Sequence, residues 1–66
     1  MNREISIIAG QILVAKAYLD DAHKLFGAVN AIDGEELGKE ERAAWRAVVD
    51  ASDALHPVVD WAIEKR

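Results

Sequence analysis

From Arg3 to Ile32 the chain runs without a proline and repeats its apolar residues at helical spacing. Ile5, Ile8, Ile12, Ala15, Leu19, Ala22, Phe26 and Val29 alternate steps of three and four. That is an unbroken heptad seam, which a strand with its two-residue period does not produce. Alanines at 15 and 22 leave little bulk, so a neighbouring helix can approach closely there. The predicted helix covers about 3–32 and stops near Asp33-Gly34, a dipeptide suited to left-handed backbone and chain reversal.

A second helix is predicted over about 39–65, after an acidic turn at 33–38. Gly38 is a tolerable N-cap, and Glu40 and Glu41 in the first turn favour the positive end of the helix dipole. Ala44, Val48, Ala51, Leu55, Val58 and Ala62 carry the apolar stripe, widened by Trp45, Val49, Val59, Trp61 and Ile63. Pro57 is the irregularity, because it lacks an N–H and its ring clashes with the preceding turn. A helix kinked at Pro57 is the expectation, and a separate short helix starting there is the alternative. The fold class is therefore all-α, a single 1–66 domain built as an antiparallel helical hairpin. With the turn centred near residue 35, facing positions have numbers summing to about 70 or 71. Phe26 then lies opposite Trp45, and Gly10 opposite Trp61. Glycine costs roughly 1 kcal/mol against alanine inside a helix, and an indole laid over Gly10 would explain its presence.

The hairpin is not expected to be the final state. Ile5, Ile7, Ile8, Ile12, Leu13, Val14, Tyr18 and Leu19 cover almost every side of the first helix's N-terminal half. A helix apolar all round must be buried all round, and one partner helix hides one stripe. A chain of 66 residues also has little core of its own to offset conformational entropy. The expectation is a homodimer, two hairpins forming a four-helix bundle, with Ile5, Ile7, Ile8, Ile12, Val14 and Tyr18 at the interface. A different protein covering the same surface is the competing reading.

The chain has 8 Lys+Arg and 12 Asp+Glu, a formal net charge of −4. Residues 33–41 hold Asp33, Glu35, Glu36, Glu40 and Glu41 against Lys39 alone, and the remaining charges balance. The whole net charge thus sits in one short stretch. It reads either as a solvated loop and helix start or as a docking tip for a basic partner surface. A nucleic-acid binder shows a basic face instead. Arg3 before an apolar run, with Ala15-Lys16-Ala17 beyond it, faintly suggests a targeting segment, but Glu4, Ser6 and Gln11 interrupt it and the seam continues past it. Length, Gln11 and Lys16 argue against a membrane span. A cytoplasmic protein is expected.

Candidate chemistry is sparse. Cysteine is absent, which excludes disulfides and cysteine-based zinc or redox sites. Asp20, Asp21 and His23 form one cluster, but zinc needs a third protein ligand, and Asp20 with Lys24 is also an i,i+4 ion pair. Asp53, His56 and Asp60 form a second cluster on the other helix, too far along the hairpin to share an ion with His23 within one chain, which leaves only a site across a dimer axis. Ser6 and Ser52 sit in no nucleophile motif, and the glycines form no phosphate loop. No catalytic residue, metal or cofactor is expected, and the chain is not expected to be an enzyme. Trp45 and Trp61 are either core aromatics or partner-binding anchors, and with Glu35, Glu36, Glu40 and Glu41 they are the candidate partner-binding residues.

In build, the chain from ISIIAGQILVAKAYLDDAHKLF to the end of the second helix resembles the small helical inhibitors that temperate phages direct at bacterial hosts. Among these are hairpin proteins that dimerise and silence a quorum-sensing transcription regulator. The resemblance spans the whole length and rests on size, acidity, hairpin build and the lack of catalytic groups. It implies a binding inhibitor that occludes a basic DNA-binding surface, and with no motif to align it carries over no functional residue. The expected function is a non-enzymatic protein–protein interaction module. The alternative is a small dimeric DNA-binding regulator using Lys39, Arg42 and Arg46.

Overall fold

A computed structural model describes residues 2–33 and 37–66, the side chains of 31–33 excepted, and these residues contain helix and no strand. Helix α1 spans Arg3–Asp33, α2 spans Lys39–Leu55, a single 3-10 turn covers His56–Val58, and α3 spans Val59–Lys65. Both α2 and α3 pack along α1, so the chain is a long hairpin measuring 51 × 18 × 16 Å.

Helix α1 starts where Asn2 caps it. The Asn2 Oδ1 accepts the backbone N–H groups of Glu4 at 2.9 Å and Ile5 at 3.3 Å, two donors the helix itself cannot satisfy. Gly38 is the N-cap of α2, as expected, in extended conformation. The Glu41 carboxylate curls back over it, leaving 2.6 Å to where a Cβ would stand. Glu40 and Glu41 occupy the first turn.

At Pro57 the helical path tightens without becoming extended. Leu55 lies at φ −80°, ψ −20° and His56 at φ −53°, ψ −47°. The His56 N–H is shared between the Ser52 and Asp53 carbonyls, and Pro57 occupies the first turn of the 3-10 segment, where its missing N–H is tolerated. The helix proper resumes at Val59.

The register follows the expected one. Phe26 and Trp45, whose numbers sum to 71, stack with ring centroids 6.1 Å apart and planes 12° off parallel. The side of α1 turned inward keeps Ile5, Ile12, Leu19, Ala22 and Phe26 of the predicted seam half-buried and departs from it at the other three positions. Ala9 is fully buried and Lys16 is largely covered, whereas Ile8, Ala15 and Val29 are exposed. The expected Gly10–Trp61 contact is also corrected. A Cβ on Gly10 would meet nothing within 4 Å, and Trp61 is itself exposed. Full burial falls one position away, at Ala9 and Ala62, the two fully buried hydrophobic residues among those described. One helical step turns a side chain by about 100°, so burying Ala9 swings Gly10 outward. Two alanines in register (9 and 62 also sum to 71) let the arms close without inserting an indole.

Candidate interaction surface

With α1 oriented by Ala9 and Lys16, its opposite side has no partner helix among the described residues. Ile7, Val14, Tyr18, Leu25 and Val29 are exposed, Tyr18 at 72% and Leu25 at 65%. Their spacing of 7, 4, 7 and 4 residues keeps them on one stripe, about 33 Å long at 1.5 Å per residue. One almost wholly apolar depression lies along it, and a second runs from its C-terminal end to the start of the second arm. The first is lined by Ile7, Gly10, Gln11, Val14, Ala15 and Tyr18, and the second by Ala22, Leu25, Phe26, Val29, Leu37 and Glu41. The stripe exists because α1 is apolar on nearly every side while α2 is amphipathic. α2 hides one face of α1 and turns its own polar face to water.

Of the residues expected at an interface, Ile7, Ile8, Val14 and Tyr18 are exposed. Ile5 and Ile12 are half-buried, at the spacing of Ala9 and Lys16 on the side turned to the second arm. Trp45 belongs to the contact between the arms, stacked on Phe26 with His23 tilted at 6.4 Å. Trp61 and Ile63 are exposed on α3. Glu40 and Glu41 are exposed at the start of α2, while Glu35 and Glu36 lie outside the described residues.

Sequence reasoning missed a polar clasp between the arms. Lys16 Nζ donates to Asp20 Oδ1 at 2.7 Å and to Ser52 Oγ at 2.8 Å, and Ser52 Oγ donates to the same Asp20 oxygen at 2.7 Å. Ser52 is 6% exposed. The i,i+4 partner of Asp20 is therefore Lys16, one turn before it, in place of the expected Lys24. Hydrogen bonds from Lys16 and Ser52 hold the Asp20 carboxyl below its ordinary value of 3.8, with the Lys16 and Lys24 charges adding to the effect and desolvation opposing it. A lysine beside a serine can form a nucleophilic pair only when the amine is free to take the hydroxyl proton. Here the ammonium and the hydroxyl both donate to the carboxylate, an arrangement that fixes register. The available signal was an i,i+4 Lys–Asp pair facing a serine across the hairpin.

Among the described residues, no three His, Asp or Glu side chains converge where they can hold a metal ion. Two of the basic residues near the turn, Arg42 and Arg46, are engaged locally. Arg42 Nε donates to the Leu37 carbonyl at 3.1 Å, and Arg46 pairs with Asp50 at 3.5 Å. No helix among the described residues is long and apolar enough to cross a membrane. Comparison with protein-family models, curated proteins and solved structures finds no match to this chain.

Proposed function

We propose that this chain is a non-enzymatic interaction module of the cytoplasm, which pairs with a second copy through the open face of α1 and in that form binds and modulates another protein, such as a bacterial transcription regulator. The observation that carries the reading is the unpartnered apolar stripe on a hairpin whose only fully buried hydrophobic residues, among those described, are Ala9 and Ala62. The accessible surface is 5179 Å², against about 4,200 Å² for a compact monomer of the same mass. The surplus of roughly 1,000 Å² is comparable with the 800 Å² or so that each partner contributes to a stable interface. The radius of gyration of 14.9 Å likewise exceeds the 11 Å or so of a compact chain this long. Pairing two hairpins into a four-helix bundle, with the second arm bent at its 3-10 turn, covers the stripe and thickens the rod. Exposed Trp61 and Ile63 on α3 and the acidic residues at the turn remain for a client. The apolar pair supplies hold, and the charge supplies steering.

Sedimentation equilibrium tests the self-association, and titration of labelled chain with a candidate regulator tests the client. A gel-shift series at low salt tests the DNA-binding alternative, which requires affinity falling steeply with added salt. Dimeric chain with no DNA affinity supports the proposal.

A further inference from the structure

Resting on that reading, we propose that the two copies pair with their α1 helices antiparallel, about a two-fold axis at Tyr18, so that the N-terminal half of one stripe covers the C-terminal half of the other. The stripe is uneven along its length. Its N-terminal half carries Gly10, which leaves open space, whereas its C-terminal half carries Leu25, 65% exposed. An axis through Tyr18 brings together positions whose numbers sum to about 36. Ile7 then meets Val29 of the second copy, Ala15 meets Ala22, and Leu25 enters the space beside Gly10 and Gln11. The bulkiest aliphatic side chain of the C-terminal half thereby fills the gap left at the glycine, as close packing requires. In-register parallel pairing would stack Leu25 on Leu25 and leave Gly10 beside Gly10, one layer overfilled and another void. It would give Gln11 a polar mate in Gln11 of the second copy, a single hydrogen bond worth about 1 kcal/mol.

Charge selects the same arrangement. Residues 33–41 carry four net negative charges at the turn end of the hairpin, while at the other end Arg3, Lys65 and Arg66 balance Glu4, Asp60 and Glu64. Parallel pairing sets two acidic ends side by side. Antiparallel pairing sets each beside a neutral end bearing three cations, and separates like charges by most of the 51 Å length, far beyond the Debye length of about 8 Å at physiological salt.

The chain has no cysteine, so single-cysteine variants report one contact each. The test mixes Ile7→Cys with Val29→Cys, treats the mixture with a bismaleimide of about 10 Å reach, comparable to the spacing of packed helices, and follows mass by light scattering. Both residues are exposed in the single chain. Should either variant lose its helical circular dichroism, Gln11→Cys with Leu25→Cys reads the same register. The expected result is a dimer in which the mixed pair cross-links and each variant alone does not, because like positions lie about 33 Å apart. A dimer in which Ile7→Cys links to itself is parallel, and overturns the axis while leaving self-association standing. A dimer that links in neither way, with Tyr18→Cys also failing, pairs through another face and overturns it too. A monomer overturns both the axis and the reading on which it rests.

Discussion

Ser52 is a buried hydroxyl at a position where the helix contact otherwise favours an alkyl group, and the explanation is the Lys16–Asp20 pair reaching it from α1. Ser52→Ala removes two hydrogen bonds and leaves the pair intact, so a loss of about 1 kcal/mol is expected in urea denaturation. Asp20 sets the acid limit of that clasp. Its folded carboxyl titrates below the ordinary 3.8, so its contribution is fully present above that value and disappears as pH falls through the depressed folded value. Asp20→Asn should therefore flatten the decline in urea midpoint from pH 5 down to acid. An unchanged slope would show that the clasp carries no linkage. At the helix start, Asn2→Ala removes the acceptor for the Glu4 and Ile5 N–H groups and should lower stability by about 1 kcal/mol, read from the thermal midpoint at fixed concentration. Spacing marks Lys16 and Asp20 as an i,i+4 pair but does not by itself join that pair to Ser52. An asparagine before a helix and a lysine, an aspartate and a serine on two helices are ordinary surface residues until the register brings them together.

At the scale of elements, the helices and the Phe26–Trp45 register were legible, because a period of 3.6 over thirty residues has few competing readings. What misled was the choice of face. α1 is apolar nearly all round, so more than one seam fits the same residues. Alanine at 9 and the reach of Lys16 to Ser52 decided it, leaving Ile8, Ala15 and Val29 exposed. Pro57 was legible as an interruption, and its form follows from the backbone. With Leu55 and His56 in helical conformation, Pro57→Ala restores an N–H able to reach the Asp53 carbonyl. The 3-10 turn should relax toward α-helix with stability unchanged or slightly raised. Carbon secondary shifts at 55–58 report the conversion, and lost stability would mean the tight turn is needed for packing α3.

At the scale of the whole molecule, a rod with two buried apolar side chains among the described residues leaves its longest helix half wet. Val14 is 56% exposed in the single chain, so Val14→Asp does not disturb the contact between the arms and acts on the open face alone. In a dimer it would bury a charge without a partner. The dimer dissociation constant should then rise by about 100-fold, near 3 kcal/mol. The most direct measurement is the solution mass of the unaltered chain by sedimentation equilibrium across a range of concentrations. The expected mass is twice the 7.3 kDa of one chain, with a thermal midpoint that climbs as concentration increases. A folded, soluble species of 7.3 kDa whose thermal midpoint does not move with concentration would rule out the dimer.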